Sequence, residues 1–144
     1  MQVQQILKSK GTDGVHTVKP GTLVADAAQI LAEKRIGTVV ISSDGSTAEG
    51  ILSERDIVRV LATVGAGCLS DKVDDYMTRE LVTCTRAELA DAILAKMTEG
   101  RFRHMPVVED GRMIGLITLG DVVKARLSEL AMEKDALEGM IMGH

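Results

Sequence analysis

Apolar residues recur along the chain in two rhythms, and the same order of rhythms is written twice. Leu23, Ala27, Ile30 and Leu31 fall at the three- and four-residue spacing of one helix face, and Leu89, Ile93, Leu94 and Met97 repeat it. A short extended piece precedes each helix pattern, at residues 16–18 and 82–84. A strand-like apolar run follows each: Thr38-Val39-Val40-Ile41 in the first copy, matched with Met105-Pro106-Val107-Val108 in the second. Asp44-Gly45 and Asp110-Gly111 then mark turns. The next strand ends in Gly50-Ile51-Leu52-Ser53 or Gly115-Leu116-Ile117-Thr118. Ser53 and Thr118 stand where a helix N-cap would, and Asp56 and Asp121 follow near the helix start. Each copy therefore reads β-α-β-β-α.

The two copies correspond residue by residue. Gly50, Ser53 and Asp56 match Gly115, Thr118 and Asp121 at a shift of 65, and VADAAQILAEK (24–34) matches LADAILAKMTE (89–99) at the same shift. Thr17-Val18 and Asp44-Gly45 match Thr83-Cys84 and Asp110-Gly111 at 66. Two copies are too few for a solenoid and suit a pseudo-symmetric pair packed face to face. The expected class is α/β (α+β), with a first repeat over residues 1–66, a second over 67–128 and a helical tail over 129–144. Gly65-Ala66-Gly67 opens the linker, and a short helical pattern at 73–77 resembles residues 3–7. The first copy's last helix stops near Gly65, whereas the second runs on with Leu127, Leu130, Leu137 and Met140 as an apolar stripe. That tail either caps its own core or meets another chain.

Composition narrows the class. Apolar residues make up 45% of the 144, but aromatics only 1%, so the core is aliphatic and methionine-filled. A net charge of −4 counts against nucleic-acid binding, which needs a basic face. Cys68 and Cys84 form neither a disulfide framework nor a CxxC pair and read as thiols of a reducing compartment. With no apolar run of membrane-spanning length and no signal layout at the N-terminus, the expected location is the cytoplasm. His16, His104 and His144 lack metal-ligand spacing with the cysteines. No carboxylates are arranged as an acid–base pair and Cys84 has no evident activating His, so no catalytic role is expected.

The repeated βαββα order, the Gly-apolar-x-Ser/Thr-x-x-Asp stretch and the run RHMPVVEDG together resemble a tandem pair of CBS domains, a Bateman module. The resemblance spans roughly residues 1–128. It implies adenosine-containing ligands (AMP, ADP, ATP, NAD(H) or S-adenosylmethionine) in clefts between the repeats, regulation of a separate protein, and a homodimer. It places the ribose contacts on Asp56 and Asp121 and the phosphate-side contacts on Ser53 and Thr118. Val39 and the Met105-Pro106 pair would line the adenine slot, and the backbone near Val18 and Cys84 would reach the base edge.

These roles make physical sense. A carboxylate can accept from both ribose hydroxyls, and the partly positive helix start stabilises it as an anion. Free N–H groups at that start suit a phosphate. Arg103 and His104, aligned with Gly37 and Thr38, add basic groups in the second copy, and Arg55 is the candidate in the first. A guanidinium fork matches a phosphate bidentately. The expected function is a non-catalytic regulatory module for adenine nucleotides, with no metal, nucleic acid or membrane partner. A small phosphate-handling enzyme and a ligand-free scaffold are the alternatives.

Overall fold

A computed structural model describes residues 1–10 and 15–141. Helix α1 (Val3–Ser9) precedes the first unit: β1 (Thr17–Val18), α2 (Val24–Lys34), β2 (Thr38–Ile41), β3 (Gly50–Ser53) and α3 (Glu54–Val64). Two 3₁₀ turns, Ala66–Ser70 and Val73–Asp75, lead to the second unit: α4 (Ala90–Gly100), β4 (His104–Glu109), β5 (Arg112–Thr118) and α5 (Leu119–Ile141). His144 and the end of the expected tail, 142–144, lie outside the described residues.

In the first unit β1 runs parallel to β2, with Val18 opposite Ile41, and β2 runs antiparallel to β3, with Thr38 opposite Ser53. The second unit repeats the pairing, with His104 opposite Thr118. Its first strand has shrunk to one parallel bridge, Cys84 to Val107. The Cys84 N–H donates to the Pro106 carbonyl at 3.0 Å, and the Cys84 carbonyl accepts from the Val108 N–H at 2.8 Å.

Burial corrects the expected correspondence by one residue in α2. The inward face of α2, Val24, Ala27 and Leu31, is matched in α4 by Ala90, Ile93 and Met97. Both helices end on a left-handed arginine, Arg35 at φ 53° and Arg101 at φ 56°. The helices and strands up to the Asp-Gly turn therefore correspond at 66, as the alignment of Thr38 with His104 has it, and not at the 65 that letter matching suggests for α2. The single slip to 65 falls in the strand connection. There Asp110 and Gly111, at φ 52° and 77°, close a tight two-residue turn, while the first copy uses a wider loop. In that loop the Asp44 carboxylate accepts from the Ser46 and Thr47 N–H groups at 2.8 and 2.7 Å. Leu23 and Leu89 are N-caps, 40% and 50% exposed, and not part of the inward face.

The two cores exchange elements across the chain order. Val73 and Met77, from the linker, complete the first core, whereas Val3 and Ile6, from α1, complete the second. Matching main-chain bonds fix the exchange: Val73 N–H to the Thr22 carbonyl at 2.8 Å and Val3 N–H to the Glu88 carbonyl at 2.9 Å. The two repeated strand glycines make room for it. A β-carbon on Gly115 would stand 2.7 Å from Leu7 Cδ2, and one on Gly50 would stand 2.7 Å from Met77 Cγ. At the far end, α5 buries only Val122 and Ala125, and its C-terminal half projects with Leu130, Leu137 and Met140 exposed. Among the described residues no helix is long and apolar enough to cross a membrane.

Candidate functional site

Both Gly-x-x-Ser/Thr-x-x-Asp stretches fold as capping boxes. Asp56 Oδ2 accepts from the Ser53 N–H at 2.9 Å, and the Asp56 N–H donates to Ser53 Oγ at 3.2 Å. Asp121 Oδ2 accepts from the Thr118 N–H at 2.9 Å, and its own N–H donates to Thr118 Oγ1 at 3.1 Å. One carboxylate oxygen thus holds the strand-to-helix corner in each copy. The helix-start reading and the ligand reading use the same residues and do not exclude each other.

Beyond the caps the two carboxylates are engaged differently. Asp56 Oδ1 pairs at 2.7 Å with Arg59, a mostly exposed residue of its own helix. Asp121 Oδ2 instead takes the Lys10 ammonium at 2.8 Å, and Lys10 Nζ also donates to the Leu116 carbonyl at 2.8 Å. Burial alone would raise the Asp121 pKa; the Lys10 ammonium and the Thr118 N–H outweigh it and hold the carboxyl below its usual range.

A cavity of about 910 Å³ opens between the repeats. Its wall combines Lys10, His16, Lys34 and Thr38 with His104, Ile114, Leu116 and Thr118. A second cavity, about 610 Å³, lies at the N-terminal ends of α3 and α5 and takes Ser53, Arg55, Arg103, Lys124 and the aliphatic Val123 and Leu127. Gly37, His104 and Thr118 line both. His104 is pushed below its ordinary pKa first by burial and then by Lys10 and Arg103, with Asp56 and Asp121 pulling the other way. Its imidazole is therefore neutral at pH 7, a donor and acceptor rather than a cation.

The structure brings Ser53, Arg55, Arg103, His104 and Thr118 to one cavity, with Arg55 and Arg103 together although they come from different copies. Thr38 joins His104 and Thr118 in the other. Asp56 and Asp121 stand behind these walls, reached through Ser53, Thr118 and Lys10. Val18, Val39, Cys84 and Met105 place their side chains in the two cores, and Pro106 is buried in β4. The Cys84 thiol is pushed up to about 11 by burial and by Glu88, against the opposing charge of Lys96, so it stays protonated and unreactive. Lys10 has no basic counterpart in the repeat, whereas Lys124 matches Arg59 at the shift of 65. Lys124 lies one turn beyond Asp121 and could have been found from helical spacing; Lys10 could not, because its place depends on the exchanged α1.

Comparison with known proteins agrees with this architecture. The profile of the CBS domain matches residues 6–63 and again 73–128. The mitochondrial CBS domain-containing protein CBSX3 of Arabidopsis thaliana is 34% identical over 148 residues, covering 98% of this chain and 72% of its own. The crystal structure of the CBS-domain containing protein ATU1752 from Agrobacterium tumefaciens superposes with a TM-score of 0.82 at 43% identity, over 88% of this chain and 99% of that one. The CBS domain pair of protein MJ0100, solved with 5′-methylthioadenosine and S-adenosyl-L-methionine, gives a TM-score of 0.76 at 26% identity, over 90% and 98%.

Proposed function

The chain belongs to the CBS-domain family, with two domains in tandem, and on that premise we propose that it is a non-catalytic sensor module. In this reading it binds an adenosine-containing ligand between its repeats and passes occupancy to a separate protein. The observation that carries the reading is the inter-repeat cavity of about 910 Å³, walled by Thr38, His104 and Thr118 and backed by Asp121. Its size suits a nucleoside-sized ligand. The MJ0100 pair, solved with two adenosine derivatives, supports adenosine as the recognised part.

The base lies between the sheets, and the ribose hydroxyls turn to Asp121. A phosphate, in AMP, ADP, ATP or NAD(H), extends past Thr118 and His104 toward Arg103, Arg55 and Lys124 in the adjoining cavity. Residues 1–66 and 67–128 act as the two repeats, and 129–144 serve assembly. The exposed apolar residues of α3 and α5, including Val58, Val64 and Leu127, support a homodimer. Buried Cys68 and Cys84 suit a reducing compartment such as the cytoplasm.

The test is a thermal-shift panel of adenosine, AMP, ADP, ATP, NAD(H) and S-adenosylmethionine, followed by calorimetry. A specific ligand at about 100 times its dissociation constant adds about 2.7 kcal/mol of stability. Asp121→Ala weakens that ligand about ten- to a hundredfold, the worth of a hydrogen bond to a charged group. No shift with any ligand supports the empty scaffold, and steady turnover of ATP supports an enzyme.

A further inference from the structure

Lys10 occupies a position with no equivalent in the other copy. In the first repeat the Ile51 carbonyl accepts from the Thr78 N–H at 2.9 Å, so main chain from the linker zips onto β3. In the second, the matching carbonyl, Leu116, accepts from the Lys10 ammonium instead. That ammonium also takes Asp121, at 2.8 Å. Lys10 lines the larger cavity and is paired with Asp121, which does not line it.

Its placement is built into the fold. Lys10 caps the C-terminal end of α1, its N–H donating to the Ile6 carbonyl at 3.1 Å, and Ile6 is locked in the second core. Leu7 packs where Gly115 leaves no side chain, which seats this turn of α1 on β5. The lysine stem is thus anchored, while its head is only part-buried and can swing away.

We propose that Lys10 is a latch that competes with the ligand's ribose for Asp121 and so sets the affinity of the second cleft. This rests on the reading of Asp121 as the ribose contact. With the latch closed, Asp121 Oδ2 is already paired with an ammonium, and a ribose diol must compete with that ammonium for the carboxylate. Ligands lacking the diol do not meet this competition. A part-exposed ion pair is also screened by salt, so the latch loosens as ionic strength rises.

The experiment compares adenosine with 2′,3′-dideoxyadenosine, by calorimetry, on the wild type and on Lys10→Met. Methionine keeps the stem and removes the charge. Adenosine tightens about three- to tenfold in the variant, and dideoxyadenosine stays unchanged. In the wild type, adenosine affinity rises between low and high salt, and this salt response disappears in Lys10→Met. The wild-type salt titration stands even if the variant folds poorly. Equal change for both nucleosides, in either direction, overturns the latch, as does an adenosine affinity that is flat or falling with salt in the wild type. Binding of neither nucleoside by either protein overturns the site reading together with the latch; binding without the differential effect overturns the latch alone.

Discussion

His104 stands on the wall shared by both cavities, and its charge decides what that wall offers a ligand. Burial depresses its pKa, and Lys10 and Arg103 add to the shift, while Asp56 and Asp121 oppose it. The sign follows from linkage. A base whose folded pKa lies below its unfolded value near 6.5 binds its proton less readily in the native state. The stability it contributes is fully present above about pH 6.5 and is lost as the pH falls toward the folded value. Chemical denaturation between pH 7 and pH 5 therefore shows falling stability, with a shallower fall in His104→Gln, whose side chain does not titrate. Parallel slopes in the two proteins would remove His104 from the account. An anionic ligand in the adjoining cavity reverses the local balance, and the imidazole pKa, followed by NMR, rises on binding AMP but not adenosine. At this scale the sequence was readable where a residue type has a local duty: Ser53, Thr118 and their aspartates cap helices as their spacing requires. Lys10 was not readable, because nothing near it in sequence tells which carboxylate it meets 111 positions away, at Asp121.

Among elements, the exchange of α1 and the linker is the feature with the largest energetic consequence. Ile6 is 3% exposed in the second core, yet it precedes the first repeat in the chain. Ile6→Ala costs about 2–5 kcal/mol, the usual range for such a truncation. Hydrogen exchange locates the damage: protection falls in β4, β5 and α4, ahead of β2 and β3. Greater loss in β2 and β3 would mean that α1 serves the first repeat. Gly115→Ala probes the same seam from the other side, since its added carbon would press on Leu7 at 2.7 Å. Overpacking of this kind costs about 1–3 kcal/mol, and Leu7→Ala relieves it in a double-mutant cycle. The βαββα order was legible because each element has its own period and its own terminator. The exchange was not, since Val3, Ile6, Val73 and Met77 look alike as short apolar patterns and hydrophobicity carries no address. The one-residue error in α2 has a related cause. Shared letters such as Ala-Asp-Ala drew the alignment to 65, while the buried faces of the helices obey 66.

For the whole molecule, the open question is what α5 does beyond its own core. Its 23 residues span about 35 Å at 1.5 Å per residue, and burial is confined to the first third. Val123, Leu127, Leu130, Leu137 and Ile141 recur at three-, four- and seven-residue steps on it, all at least 40% exposed. That spacing is the seam of a helix pair, with Lys134 interrupting it once. Isolated exposed leucines need no explanation, but a sustained stripe does. The start of the tail is tied to the body, because Glu129 meets the amino group of Met1 at 3.0 Å and Arg126 at 3.4 Å. A useful truncation therefore stops after Leu130, keeping both ion pairs and the cavity-lining Leu127 while removing Leu137 and Ile141 from the stripe. If the tail serves assembly, light scattering shows a smaller oligomer for the truncated chain at equal concentration. Its affinity for the adenosine ligand stays within a few-fold, because none of the described residues beyond 130 lines either cavity. Unchanged mass would leave α3 and the first half of α5 as the assembly surface, where Val58, Val64 and Val123 are exposed. A collapse of affinity at unchanged mass would place the tail in the ligand site, against the geometry of both cavities.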